Sequence, residues 1–194
     1  MLRGAALLSA VVLLSGLSAG EFNKKINLGE ASPTFVNLEG TDGKKYNLDS
    51  FKKDVLVIAI TCNHCPVAQD YEDRILAFAK KYAGKIDFVA INVNNIEEDR
   101  LPEMIKRARD KGYTFPYLYD PSQKIAKELG ATVTPEFFVL DKSRKFAYTG
   151  AMDDKLDPDE VKVRYLEAAV EALLKGGKVD KSETRPRGCG IKYE

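Results

Sequence analysis

The sequence has few of the residues from which metal sites are built. It contains three cysteines, one histidine and no tryptophan in 194 residues. Three cysteines are too few for a disulfide-framework protein. One histidine and the distant Cys189 do not complete a four-ligand zinc site around the other two cysteines. We therefore expect neither a metal nor another cofactor.

The sequence also lacks an excess of charge of either sign. Thirty Lys and Arg residues stand against 29 Asp and Glu residues, so no net field favours nucleic acid or an acidic surface as a partner. No internal repeat or low-complexity linker divides the chain. This predicts a single domain over residues 21–177, followed by a polar tail over 178–194.

One apolar run, residues 5–14, stands apart near the N-terminus. It is shorter than the ~20 residues that span a bilayer, it follows Arg3, and the small residues Ser18-Ala19-Gly20 come after it. These features predict a signal peptide over residues 1–20 and export of the protein, either to the periplasm or by secretion. The alternative is an uncleaved segment, which would be the only contact with a membrane.

The pattern of apolar residues predicts an α/β sandwich. A continuous apolar run at 55–60 is typical of a strand covered on both faces, and the apolar spacing after Pro66 is that of an amphipathic helix. The strands on either side of the short turn at 141–144 must be antiparallel, so the sheet is mixed. The further predicted elements are a hairpin turning at Asp42-Gly43, a strand at 86–93, a helix at Leu101–Lys111 and a short strand at 115–119.

Local signals also predict two later helices and one loop. Asp120 is the expected N-cap of a short helix, with Gln123 completing a capping box and Gly130 ending it. Asp157 is the expected N-cap of the last helix. The acidic stretch 97–99 is expected to be a solvated loop.

The pentapeptide Cys62-Asn63-His64-Cys65-Pro66 lies between the apolar run 55–60 and the helix that follows. A thiol near a helix N-terminus meets unpaired backbone N–H groups and the positive end of the helix dipole. Its thiolate is thereby stabilised and its pKa is expected to fall. Two thiols at this spacing predict reversible disulfide chemistry.

With Thr134-Pro135 before a later strand, and the tail 184–192, this motif resembles the thioredoxin-like superfamily. The resemblance is to its exported redoxin branch, which includes alkyl hydroperoxide reductase and thiol-specific antioxidant sequences. It implies a thioredoxin fold: a mixed central sheet flanked by helices, with an N-terminal β-hairpin and an inserted strand-helix segment. It also implies a cis bond at Pro135, facing the dithiol.

The resemblance assigns a role to each site residue. Cys62 is the expected exposed nucleophile, Cys65 the resolving thiol, His64 a group that makes the disulfide more oxidising, and Pro135 part of the substrate groove. The expected activity is thiol-disulfide exchange with protein or small-molecule substrates, together with a redox partner protein. Two departures are that Thr61 replaces the usual tryptophan, and that no acidic residue in 55–60 can accept a proton.

Other functions remain open. A peroxiredoxin-like peroxidase is one, although the Pro-x-x-x-Thr/Ser-x-x-Cys motif is absent and Thr61 is adjacent to Cys62. A non-catalytic Cu(I)-binding or redox-sensing protein is another. Cys189 lies between two glycines, so its thiol is expected to be able to swing. It is either a third redox cysteine, exchanging with Cys62 or pairing between molecules, or a packed, spare one.

Overall fold

The computed structural model describes residues 20–194. The predicted signal peptide therefore lies outside the described residues, apart from Gly20. Within the described part, no helix is both long enough and apolar enough to cross a membrane.

A mixed sheet forms the centre of the protein, as expected, and it has seven strands. Its spatial order is β2-β1-β5-β4-β3-β7-β8, with β3, β4 and β5 parallel and the remaining pairs antiparallel. A separate small sheet pairs β6 with β9. The strands are β1 (Leu38–Gly40), β2 (Lys45–Tyr46), β3 (Leu56–Ile60), β4 (Asp87–Asn92), β5 (Tyr117–Tyr119), β6 (Val133–Thr134), β7 (Glu136–Leu140), β8 (Phe146–Gly150) and β9 (Cys189–Gly190). The helices are α1 (Pro66–Lys81), α2 (Leu101–Lys111), α3 (Lys124–Leu129) and α4 (Tyr165–Leu174).

The central strand β3 is covered on both faces, which explains its unbroken apolar sequence. All five of its residues are buried. Val57 and Ala59 belong to an apolar cluster covered by α1 and α4, whereas Leu56, Ile58 and Ile60 belong to a second cluster, on the α3 face. This packing fixes the end of β3, and it places the cysteine motif that follows at the carboxyl end of the parallel strands.

The helix after the motif begins at Pro66, as predicted. Cys65 is its N-cap, in an extended conformation, and its sulfur lies 3.4 Å from the backbone nitrogen of Ala68. Proline is favoured at a first helical position because it has no N–H to leave unpaired. Both motif cysteines therefore precede the helix.

The predicted starts of the two later helices are wrong. The N-cap of α3 is Gln123 in place of the predicted Asp120, and the helix begins at Lys124. Gln123 has a positive φ of 60° and completes no capping box, and its side-chain amide donates to the carbonyl oxygens of Val93 and Lys192. Asp157 caps only the 3-10 turn Pro158–Glu160, because α4 begins at Tyr165. The side-chain amide of Gln123 bonds to residues far away in the sequence, and a capping pattern read from neighbouring residues cannot predict such contacts.

Candidate functional site

The three cysteines are brought together, but not in the expected pairing. Cys65 is bonded to Cys189, 124 residues away, with a Cα–Cα distance of 5.9 Å. Cys62 is the free thiol and is only 5 % exposed. The prediction of an exposed Cys62 is wrong, and Cys189 pairs within its own chain with Cys65, not with Cys62.

The tail reaches Cys65 because it forms a strand against the segment before Pro135. In β9, Cys189 is opposite Thr134. Gly188 makes this approach possible, since a Cβ atom there would lie 2.0 Å from the carbonyl oxygen of Thr134. The backbone nitrogen of Ile191 donates to Thr132 O at 3.0 Å. These contacts fix Cys189 in place, so the expected swinging thiol is not found.

Thr134 lies between the two motif cysteines. Its hydroxyl is 3.1 Å from Cys62 Sγ and its carbonyl oxygen is 3.2 Å from Cys65 Sγ. The peptide bond between Thr134 and Pro135 is cis, as the family resemblance implied. One residue thus contacts both sulfurs from the strand that also pairs with the tail.

Burial raises the pKa of the Cys62 thiol to about 11. Thr134's hydroxyl and the backbone N–H groups of His64 and Cys65 act in the opposite direction, whereas the negative charge of Asp99 raises the pKa further. The sequence-based expectation of a lowered pKa is therefore wrong for this state. The N–H groups do favour the thiolate, but the loss of solvation outweighs them.

Asp99 is a site residue that the sequence analysis placed in a solvated loop. It is fully buried. Its Oδ1 accepts from the backbone nitrogens of Asn63 at 2.6 Å and of His64 at 3.2 Å, and its Oδ2 pairs with His64 Nδ1. One signal could have placed it: parallel strands β3 and β4 end at the same edge of the sheet, so the segments that follow them are neighbours.

Buried polar side chains support this part of the motif. Asn92 donates from Nδ2 to Asp99 Oδ1 at 3.2 Å and to the hydroxyl of Tyr117 at 3.2 Å. Tyr117 in turn donates to Asn63 Oδ1 at 3.0 Å. The network holds the backbone of Asn63 and His64 through groups on β4 and β5.

A metal ion is poorly accommodated by these residues. Cys62, His64 and Asp99 offer donor atoms within 4.8 Å of one another. Two ligand atoms of a tetrahedral zinc, each about 2.0 Å from the metal, lie about 3.3 Å from each other. The nitrogen of His64 and the oxygen of Asp99 are in direct hydrogen-bond contact, so they lie closer together than two such ligand atoms would. Cys65 is engaged in the disulfide, so the thiolate pair expected of a Cu(I) carrier is not present in this state.

Comparisons with known proteins identify the family and similar structures. The Redoxin family model matches residues 27–167. A hypothetical protein from Sinorhizobium meliloti 1021 is 36% identical, covering 87% of this chain and 96% of its own, with a TM-score of 0.81. An uncharacterized conserved protein from Geobacillus kaustophilus is 37% identical, covering 92% and 98%, with a TM-score of 0.82.

More distant structures share the fold alone. A putative thiol:disulfide interchange protein DsbE from Chlorobium tepidum is 20% identical over 76% of this chain and 97% of its own, with a TM-score of 0.63. A search among curated proteins found no match.

Proposed function

Since this chain belongs to the Redoxin family of thioredoxin-like oxidoreductases, we propose that it is an exported thiol-disulfide oxidoreductase in which Cys62 attacks and Cys65 resolves. One observation carries the proposal: the free thiol of Cys62 and the sulfur of Cys65 both contact Thr134. The sulfur of Cys65 is already part of a disulfide. Thiol-disulfide exchange requires this arrangement of a thiol beside a disulfide sulfur.

The exchange proceeds through three disulfides. In the fully reduced protein, the Cys62 thiolate attacks a substrate disulfide, forms a mixed disulfide and releases one substrate thiolate. Cys65 then attacks Cys62 Sγ and releases the second substrate thiolate. Finally the Cys189 thiolate attacks Cys65 Sγ, so that the Cys62–Cys65 bond breaks and Cys62 leaves as a thiolate that takes up a proton.

The net result is balanced. One substrate disulfide becomes two thiols, and two protein thiols become the Cys65–Cys189 disulfide found in the structure. A dithiol redox partner must reduce that disulfide before the next turnover. The same steps in reverse oxidise a substrate dithiol. The substrate class is a protein or small-molecule disulfide or thiol.

Disulfide mapping tests this scheme. Oxidised protein is alkylated and digested, and the linked peptides are identified by mass spectrometry, for wild type and for Cys189→Ser. We expect wild type to show Cys65 linked to Cys189 with Cys62 alkylated, and Cys189→Ser to show Cys62 linked to Cys65. Exchange activity that persists in Cys62→Ser would contradict the proposal.

A peroxidase is the second candidate, favoured by the Thr134 hydroxyl at 3.1 Å from Cys62 Sγ. The sequence motif that supplies such a hydroxyl in peroxiredoxins is absent, but the fold provides one from β6. Cys62 thiolate would attack a peroxide oxygen, forming a sulfenic acid and releasing water or an alcohol. With Cys65 reduced, its thiol would attack the sulfenic sulfur and release water.

Mass spectrometry after hydrogen peroxide treatment separates the two functions. If the oxidised protein is a peroxidase, dimedone captures a Cys62 sulfenic acid, and Thr134→Val slows its formation. If peroxide leaves Cys62 unmodified while disulfide substrates are exchanged, the peroxidase function is excluded.

A further inference from the structure

The edge of β6 beside the cysteines is occupied by the protein's own tail. Within residues 20–194, β6 pairs only with β9, in a two-stranded sheet that places Cys189 opposite Thr134. The backbone nitrogen of Ile191 extends this pairing by donating to the carbonyl oxygen of Thr132 at 3.0 Å. An extended peptide that adds itself to a free strand edge binds in the same way, through main-chain hydrogen bonds.

The tail also brings a cysteine into the site, as a peptide substrate would. Cys189 packs against the cluster of Cys62, Cys65 and Ala68, and its sulfur is bonded to Cys65. Thr134, which contacts the sulfurs of both motif cysteines, is the residue that β9 pairs with. The docked tail therefore shows where the cysteine of an extended peptide lies when it is bonded to this site.

The neighbours of Cys189 show which peptides fit this path. A Cβ atom at Gly188 would lie 2.0 Å from the carbonyl oxygen of Thr134 and 2.5 Å from its carbonyl carbon. These are backbone atoms, so no rotation of a side chain relieves the contact. At Gly190 a Cβ atom would meet nothing within 4 Å, and Ile191 packs against the apolar cluster on the α3 face. The path thus requires a glycine before the cysteine and leaves the position after it unrestricted.

We propose that the tail is an internal occupant of a peptide-binding edge, and that the substrates are extended peptide segments in which a glycine immediately precedes the reactive cysteine. The inference rests on the proposed function and specifies its substrate class. In the fully reduced protein the tail leaves β6 and the peptide takes its place. The Cys62 thiolate forms a bond to the peptide sulfur, and the bond from that sulfur to its former partner breaks, releasing the partner as a thiolate.

Return of the tail then closes the site. Once the peptide thiolate has left, β6 is free, and Cys189 reaches Cys65 when β9 forms again. Contacts outside the disulfide guide this return: the Gln123 side chain donates to the carbonyl oxygen of Lys192 at 2.9 Å and accepts from the backbone nitrogen of Glu194 at 2.8 Å. While the Cys65–Cys189 bond lasts, the edge is closed to a peptide.

The test uses a peptide copy of residues 184–194 whose cysteine carries 2-nitro-5-thiobenzoate as a mixed disulfide. Attack by Cys62 on the peptide sulfur releases the coloured thiolate, which is the better leaving group. Stopped flow measures the second-order rate constant with reduced, full-length Cys189→Ser, in which no disulfide holds the tail. We expect the Gly188→Ala peptide to react at least about tenfold more slowly than the unchanged peptide. The Gly190→Ala peptide should react at the unchanged rate.

Two further forms of the protein vary access to the edge. Oxidised wild type, whose tail is covalently held, should react slowly and without distinguishing the two alanine peptides. Adding Gly188→Ala to the Cys189→Ser protein displaces the protein's own tail, so the unchanged peptide should react faster. Adding Gly190→Ala in its place should not change the rate. If the Gly188→Ala protein does not fold, the peptide series with Cys189→Ser decides the question.

Three results would overturn the inference. They are equal rates for the two alanine peptides with Cys189→Ser, the same discrimination by oxidised wild type, or no gain in rate when Gly188→Ala is added to a folded protein. The reagent 5,5′-dithiobis(2-nitrobenzoate), which has no peptide backbone, separates this inference from the proposed function. If adding Cys62→Ser leaves the reaction with this reagent unchanged, the nucleophile is wrongly assigned. If that reaction depends on Cys62 but the peptides are not distinguished, only the substrate class is wrong.

Discussion

At the scale of single residues, opposing influences act on the sulfur of Cys62. The Thr134 hydroxyl and two backbone N–H groups favour the thiolate, whereas burial and the Asp99 charge oppose it, and the resulting pKa is about 11. At pH 7 the difference is about four pH units, so roughly one molecule in ten thousand carries the thiolate. The reactivity of Cys62 should therefore depend steeply on pH.

Alkylation of Cys62 by iodoacetamide tests this dependence. In the oxidised protein we expect the rate to rise about tenfold for each pH unit between 7 and 10, since the reagent reacts with the thiolate. Thr134→Val should be slower at every pH in this range, because it removes the hydroxyl that lowers the pKa. Thr61→Val serves as the matched control and should follow wild type. A plateau reached by pH 8 would show that the thiol is more acidic than its burial implies.

Glu136 is a second buried ionisable residue, at the start of β7. Burial raises its pKa from 4.5 to about 7, although the backbone N–H of Thr132 donates to its Oε2 at 2.9 Å. Because the folded-state pKa exceeds the unfolded value, the protonated carboxyl stabilises the folded state below about pH 4.5. That contribution is lost as the pH rises towards 7.

Glu136→Gln should remove this dependence. The shift of about 2.5 pH units corresponds to about 3 kcal/mol, so the variant should be more stable than wild type at pH 8 and close to it at pH 4. Urea unfolding at the two pH values measures the difference. Glu39→Gln, at an exposed position on β1, should change neither value. Equal pH dependence in wild type and Glu136→Gln would show that folding does not raise the pKa of Glu136.

At the scale of secondary-structure elements, the pairing of β6 with β9 decides which cysteines meet. Gly188 allows the tail backbone to approach Thr134 so closely that a Cβ atom would lie 2.0 Å from its carbonyl oxygen. Gly190, on the other side of Cys189, has open space around the equivalent position. Two glycines that flank one cysteine thus have different roles.

Gly188→Ala and Gly190→Ala form a matched pair of variants. We expect Gly188→Ala to displace β9, to reduce the fraction of oxidised protein with the Cys65–Cys189 bond in favour of Cys62–Cys65, and to destabilise the fold by about 1–3 kcal/mol. Gly190→Ala should retain the wild-type disulfide. Disulfide mapping and urea unfolding provide the two readouts. An unchanged disulfide in Gly188→Ala would mean that the tail can dock without the close approach.

At the scale of the whole molecule, the disulfide joins the C-terminal tail to the start of α1. Its cysteines are 124 residues apart, and closing a loop of this size in the unfolded chain contributes about 5 kcal/mol in the chain-entropy account. A Cys62–Cys65 bond would close a loop of four residues and contribute about 2 kcal/mol on the same basis. The two pairings therefore differ in their effect on stability.

Reduction of the protein should lower its free energy of unfolding by about 5 kcal/mol. We expect Cys62→Ser, which retains both partners of the long-range bond, to lose as much on reduction as wild type does. Cys189→Ser should lose much less. Urea unfolding with and without a phosphine reductant measures all three. A Cys62→Ser variant that is insensitive to reduction would contradict the Cys65–Cys189 pairing.

Local features of the sequence predicted the parts of the fold that depend on neighbouring residues. The apolar run before Cys62 predicted a buried central strand, Pro66 predicted the start of α1, and Gly112 predicted the end of α2. The antiparallel end of the sheet followed from the short turn at 141–144. These predictions were correct because burial patterns, proline and glycine act within a few residues.

The chemical state of the site was decided by tertiary structure alone. Cys65 meets Cys189 because β9 pairs with β6, and Asp99 meets His64 because β3 and β4 end at the same edge of the sheet. The pKa of Cys62 rises because the assembled protein excludes water from a sulfur that the local N–H groups alone would make acidic. The sequence by itself determined the fold and the candidate cysteines, whereas their pairing, their acidity and the acidic partner of His64 depend on contacts between distant segments.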